Sequence, residues 1–209
     1  MLCDWNAITT SAYLTLIKTN INEFPISPNR IKCEGVIISS YQKYSRLTGV
    51  SISELTCGHE LDDAFYLSGL RPDLKIILYN KDKFDSRLKH TLWHEIGHVK
   101  LGHKAHGEQQ EIEAHFFASQ ANAPNVLIKE IFQRGYQIDQ ASLVKYFGLS
   151  QESAAKKMEY LKKFAFSHSN EYDDVIVTQF SSFLNSRFPR KSHYYDSYYE
   201  ELDREREKW

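Results

Sequence analysis

Two histidines and a glutamate stand close together in the middle of the chain, as His94, Glu95 and His98. They form the pattern H-E-x-x-H inside a helical periodicity. Histidines four positions apart on a helix point in the same direction, so both imidazoles can reach one metal ion. The glutamate beside the first histidine can take a proton from a water molecule bound to that ion. The pattern therefore predicts a catalytic zinc site.

A catalytic zinc ion needs a third protein ligand and an open position for water. Gly102 is expected to end the first helix, and a new helical pattern begins near Gln109 after a short polar connection. Two antiparallel helices joined in this way bring a carboxylate of the second helix back over the two histidines. Glu111 and Glu113 are the candidates, and His115 shares a face with Glu111. The residues alone leave the choice open.

Another zinc arrangement, H-E-x-x-H-x-x-G-x-x-H, does not fit this chain. Its third histidine would fall at Lys104, whereas His103 comes one position early, beside the glycine that ends the helix. His103 and His106 are therefore interpreted as loop residues or as hydrogen-bonding partners of the ligands, not as ligands.

The two metal-bearing segments resemble the ImmA/IrrE family of metallopeptidases. Residues 91–103 follow the family's H-E-L-G-H-x-x-L-G-H, and residues 111–118 with Pro124 follow its E-x-x-A-N-x-F-A and later proline. The resemblance implies a zinc-dependent endopeptidase with a gluzincin-like site and about one zinc ion per chain. It maps the family's third ligand onto Glu111, so the implied metal ligands are His94, His98 and Glu111, with Glu95 as the catalytic base.

One residue near the implied ligands departs from the family pattern. The family usually has Asn or Asp where this chain has His115, one helical turn after Glu111. A histidine there can hydrogen-bond the site or compete as a ligand. The residue that stabilises the oxyanion is also left open by the sequence, and its candidates are His103, His106, His115 and Tyr136.

The resemblance also implies a substrate class. It indicates a regulatory protein, most often a helix-turn-helix repressor of a mobile element or stress regulon, whose cleavage would relieve repression. The alternative hypothesis is a zinc-dependent DNA-binding or sensor regulator without peptidase activity. A structural metal site has no use for a general base at position 95, so Glu95 favours the peptidase.

The remaining pattern predicts an α+β fold with a zincin-like core over residues 1–130. A helical segment is expected at 8–20, and segments 35–39, 64–67 and 75–79 read as strands ahead of the two metal-bearing helices. The sheet edge beside the cleft is expected to pair with an extended substrate. Residues 167–209 are interpreted as a C-terminal helix, near 173–187, and a charged, tyrosine-rich tail.

Residues 131–166 are predicted to form a helix-turn-helix-like region. Gly148 marks the turn, Ser150 is expected to cap the second helix, and Ala154 and Met158 continue its buried face. DNA contact by this second helix is one interpretation. A packing unit beside the peptidase core is the preferred one, because the helix offers lysines but few of the side chains that read base edges.

The composition indicates an intracellular enzyme. The 209 residues carry a net charge of −1, which gives no strong field toward nucleic acid or an anionic membrane. Cys3, Cys33 and Cys57 are odd in number and widely spaced, as expected for reduced thiols. No long apolar run or signal-like start is present, so a cytoplasmic location without membrane contact is expected.

Overall fold

The computed structural model describes residues 3–56, 63–67, 74–104, 107–164 and 169–191. Its strands are β1 (Val36–Ser40), β2 (Ala64–Leu67) and β3 (Lys75–Tyr79), within one residue of the predicted segments. A 3-10 turn covers Pro28–Arg30, and a π-helical turn covers Leu143–Phe147. The α-helices are α1 (Trp5–Thr19), α2 (Tyr41–Thr48), α3 (Ile52–Leu55), α4 (Asp85–Leu101), α5 (Glu108–Asn122), α6 (Asn125–Gln133), α7 (Gln140–Ser142), α8 (Gln151–Phe164), α9 (Asp173–Gln179) and α10 (Ser181–Arg187).

The three strands form a single small sheet in the order β1-β3-β2. β1 runs parallel to β3, whereas β2 is antiparallel to it. The central strand β3 is apolar at Ile76, Ile77 and Leu78, all buried, because neighbours cover it on both faces. Helix α4 packs against β2 and β3, which places one edge of the sheet beside the metal-bearing helix. The predicted α+β class is confirmed.

Helices α4 and α5 form the predicted antiparallel hairpin. Gly102 ends α4 with φ 71°, a left-handed conformation that glycine adopts without strain. The helices approach closely at Gly97, where an added Cβ would lie 3.2 Å from Phe117 Cβ and 3.3 Å from Ala114 Cα. A glycine at this point lets the first turn of α5 lie over the histidines of α4.

The main hydrophobic core extends through all three predicted segments, and a smaller cluster around Tyr41, Ile76 and Leu78 lies apart from it. The main core includes buried side chains from each of the predicted segments 1–130, 131–166 and 167–209, among them Leu16, Trp93, Phe117, Ile131, Phe147, Leu161, Phe180 and Leu184. The buried Lys89 of α4 also donates from Nζ to the carbonyl oxygens of Phe147 (2.7 Å) and Gly148 (3.0 Å). The boundaries of the three segments stay a prediction.

The helix-turn-helix-like region has the expected local features. Gly148 has φ 67°, and the backbone N–H of Ser153 donates to Ser150 Oγ at 3.1 Å, which caps α8. Farther on, the single helix expected near 173–187 is two helices, α9 and α10, which meet at Phe180. The buried ring of Phe180, the residue between the two helices, stacks on Phe24 with centroids 4.8 Å apart.

The predicted tyrosine-rich tail, together with Cys57 and His106, lies outside the described residues. None of the helices in the described ranges combines the length and apolar character needed to cross a membrane.

Candidate metal centre

The structure brings His94, His98 and Glu111 to one point between α4 and α5. The Nε2 atoms of the two histidines are 3.0 Å apart. Glu111 Oε2 lies 3.2 Å from His94 Nε2, and Glu111 Oε1 lies 3.4 Å from His98 Nε2. Both histidines are buried, because α5 and the core cover the inner face of α4. Two nitrogen atoms and a carboxylate group, each able to donate a lone pair to a metal, therefore converge from the two helices.

The chemistry of this donor set fits a zinc ion. Burial, with smaller contributions from the nearby His115 and His98, lowers the pKa of His94 to about 3, so this imidazole is neutral at pH 7. Two imidazole Nε2 atoms beside a carboxylate offer nitrogen and oxygen lone pairs to a cation. Two histidines and a glutamate are a common ligand set for catalytic zinc.

His103 and Glu113 extend the centre behind His98. His103 Nδ1 is 2.9 Å from His98 Nδ1, and His103 Nε2 is 3.0 Å from Glu113 Oε2. If Nε2 of His98 directs its lone pair at a metal, the ring proton of His98 is on Nδ1, and this N–H donates to Nδ1 of His103. The proton of His103 then sits on Nε2 and is donated to Glu113. This network holds His98 in the tautomer that a ligand needs.

Glu113 is suited to be the acceptor at the end of this network. A hydrogen bond from Gln109 Nε2 to Glu113 Oε1, at 2.9 Å, and the contact with His103 lower the pKa of the Glu113 carboxyl. The two candidates for third ligand thus occupy different places: Glu111 faces His94 and His98, whereas Glu113 faces His103. The network through Glu113 was not predicted from the sequence, although His103 was expected to hydrogen-bond a ligand.

His115 adds a third imidazole beside the converging ligands. One of its nitrogens forms a group with ligand atoms of His94 and Glu111 in which all separations are within 4.8 Å. Its ring centroid is 4.4 Å from that of His94, and its Nδ1 lies 3.4 Å from Nε2 of His90. Burial and the neighbouring His115 lower the pKa of His90 to about 4. Sequence reasoning missed His90, although it stands one helical turn before His94.

The predicted base Glu95 and the described candidates for oxyanion stabilisation have distinct positions. Glu95 is buried and follows His94 on α4, about 100° around the helix axis. Tyr136 is placed elsewhere: its hydroxyl donates to the carbonyl oxygen of Pro189 at 2.9 Å, and its ring packs on Phe188. Of the described candidates for oxyanion stabilisation, His103 and His115 lie at the metal centre.

A family comparison agrees with this geometry. Residues 48–159, more than half of the chain, match the model of the IrrE N-terminal-like domain of the M78 peptidases. The match includes all of α4 and α5. The chain belongs to this family. Its role is accordingly that of a metallopeptidase, and its α+β fold is of the zincin-like kind. No curated protein matches the chain.

Proposed function

We propose that the chain is a zinc-dependent endopeptidase in which His94, His98 and Glu111 hold the metal and Glu95 is the catalytic base. Short separations between the ligand atoms support this ligand set most directly: the two Nε2 atoms are 3.0 Å apart, and each lies 3.2–3.4 Å from one Glu111 carboxylate oxygen. Glu95 adjoins the first ligand on the same helix, as the base of such a site must.

The chain's own residues have separate tasks in peptide hydrolysis. A bound zinc ion would act as a Lewis acid and lower the pKa of a coordinated water. Glu95 accepts the proton of the attacking water and passes it to the leaving amine. Glu113 and His103 keep the Nε2 lone pair of His98 free for coordination. His115 lies close enough to His94 to meet a carbonyl oxygen in the centre.

The substrate that we propose is a regulatory protein, in particular a helix-turn-helix repressor of a mobile element or stress regulon. Its cleaved segment would lie extended along the edge of the sheet at β2, because β2 pairs with β3 on one side and α4 packs beside it. Main-chain hydrogen bonds to a strand edge position a segment of almost any sequence, so selectivity must come from pockets beside it.

The second candidate is a zinc-dependent DNA-binding or sensor regulator without peptidase activity, and the helix-turn-helix-like region around α8 motivates it. The solvent-facing side of α8 mixes charges of both signs, and Lys156 is engaged with Glu152 at 2.6 Å. Lys157 is buried instead of facing solvent. A mixed-charge surface gives little of the counterion release on which DNA affinity depends, so this candidate ranks second.

The deciding experiment combines metal content with cleavage of a defined repressor. Purified protein should carry about one zinc per chain, and His94→Ala should lose it. Incubation with a helix-turn-helix repressor encoded beside its gene should give discrete fragments whose formation stops when a zinc chelator is added. A zinc-loaded protein that leaves such repressors intact but binds a DNA site tightly would establish the second candidate instead.

A further inference from the structure

A large cavity adjoins the metal centre between α4, α5 and α8. Its volume is about 1180 Å³, and its walls include His90 and His115 on one side and Lys156 and Lys157 on the other. The cavity reaches to within one imidazole ring of the metal centre, because His115 lines it and the ring centroid of His115 is 4.4 Å from that of His94. The cavity exceeds the usual size of a small-ligand pocket, so it has room for side chains of an extended segment.

The charges around this cavity balance except at one residue. Asp63 is paired with Arg87, and Glu152 is paired with Lys156. Lys157 is only 3% exposed, and its Nζ donates to Ser119 Oγ at 3.2 Å and to the Ser119 carbonyl oxygen at 3.5 Å. Within the described part of the chain, no carboxylate lies within ion-pair distance of this ammonium group.

An unbalanced buried ammonium group is energetically unfavourable. Removing a charge from water without an opposite charge destabilises the charged form, and here burial lowers the pKa of Lys157 to about 7. A carboxylate brought into the cavity would supply the missing partner. The resulting charge-assisted hydrogen bond would form in a water-poor environment, where such bonds are strongest.

Part of the cavity wall is apolar and aromatic. Phe116 packs edge-on against Trp5, with ring centroids 4.7 Å apart, and against Tyr160 at 5.5 Å. Ile112 and Leu149 belong to the same part of the wall. Apolar side chains of a peptide can therefore be covered on the way to the ammonium group of Lys157, and their burial adds affinity without selecting for charge.

We propose that this cavity receives an aspartate or glutamate side chain of the protein substrate, flanked by an apolar residue, and that Lys157 with Ser119 recognises its carboxylate. This assignment rests on the proposed peptidase function and adds the substrate's chemistry to it. A segment with an acidic residue next to the scissile bond should bind about tenfold or more tightly than its amide counterpart.

The test measures peptide binding so that it does not depend on turnover. Zinc-loaded Glu95→Gln protein is immobilised and equilibrated with a pool of random peptides, and the captured peptides are sequenced. Aspartate and glutamate should be enriched about tenfold at one position. The enrichment should disappear in Glu95→Gln/Lys157→Met and remain in Glu95→Gln/Lys162→Met, a control that removes the same charge from the exposed face of α8.

Three results would overturn the assignment. One is capture without acidic enrichment, and another is equal loss of enrichment in the Lys157 and Lys162 variants. The third is displacement of the peptides by free glutarate at comparable concentration, which would show that the cavity takes a small anion. Zinc content and melting temperature establish that each variant is folded, and Lys157→Gln serves as a second variant. Acidic capture by a parent protein that cleaves nothing would refute the proposed function while supporting this site.

Discussion

At the scale of single residues, metal binding depends on which ring nitrogen of each histidine ligand carries the proton. A histidine can bind a metal only through a nitrogen without hydrogen, so the partner of its other nitrogen selects the ligand tautomer. His98 has such a partner in His103, which in turn contacts Glu113. His94 differs, because its Nδ1 is buried without a hydrogen-bond partner among the described residues. The two ligands on α4 are therefore held by different means.

Replacing Glu113 by glutamine tests the role of this network. The amide cannot accept the His103 proton as strongly as a carboxylate, so His98 is held less well in its ligand tautomer. Zinc affinity should fall by roughly 10- to 100-fold, as measured by competition with a chromophoric chelator. Glu108→Gln, in the first turn of the same helix, is the matched control and should bind zinc like the parent. Unchanged affinity in Glu113→Gln would show that the network does not support the ligand.

Some site residues could be predicted from the sequence and others could not. The spacing of His94 and His98 identifies both, because four residues make about one helical turn. The choice of Glu111 over Glu113 required the family resemblance, since rotation of α5 about its axis decides which carboxylate faces α4. His90 was missed because its partner His115 lies 25 positions away, on the other helix.

At the scale of elements, the α4–α5 hairpin is the unit that assembles the centre. Its turn depends on the left-handed Gly102, and its close packing depends on Gly97. Two ligands come from α4 and one from α5, so their separation is fixed by the distance between the helices. A change in that distance must alter metal binding even when each ligand is intact.

Gly97→Val tests this dependence. A Cβ atom at position 97 would lie only 3.2–3.3 Å from Phe117 and from the backbone of Ala114. The two further methyl groups of valine would crowd these neighbours more. The free energy of unfolding should fall by roughly 1–3 kcal/mol, measured by urea titration of the zinc-free protein. Zinc affinity should fall as well. A variant with parental stability and parental zinc affinity would show that helix separation does not control the site.

Elements with strong local signals were predicted, and those that depend on distant packing were not. The three strands stand out because branched and apolar residues lie between turn residues. The break between α9 and α10 has no local signal, because the apolar spacing of Ile176, Phe180 and Leu184 continues through it. The contact of Phe180 with Phe24, more than 150 positions earlier, could not be foreseen from either segment alone.

At the scale of the whole molecule, two buried lysines connect the helix-turn-helix-like region to the metal-bearing helices. Lys89 of α4 binds carbonyl oxygens at the turn, and Lys157 of α8 binds Ser119 of α5. The region shares the main core, and its residues line the cavity that adjoins the metal centre. These contacts support the preferred interpretation of the helix-turn-helix-like region, residues 131–166, as a packing unit.

Lys157→Met should stabilise the protein in a pH-dependent way. The folded-state pKa of about 7 lies below the ordinary value of 10.5, so the unfolded chain binds more protons between these pH values. The unfavourable contribution of Lys157 is therefore complete below pH 7 and fades as the pH rises toward 10.5. Urea unfolding at pH 6 should show a gain of roughly 3–5 kcal/mol for the variant, with a clearly smaller gain at pH 9. An equal gain at both pH values would contradict this reasoning.

The central claim is that Glu95 and a zinc ion together hydrolyse a peptide bond, and the cleavage rate of Glu95→Gln tests it most directly. Glutamine keeps the size of the side chain and leaves His94, His98 and Glu111 in place, so the variant should fold and hold about one zinc per chain. Its rate on the repressor substrate should nevertheless fall by about a hundredfold or more, because the group that accepts the water proton is gone. A zinc-loaded variant that cleaves at the parental rate would contradict the account.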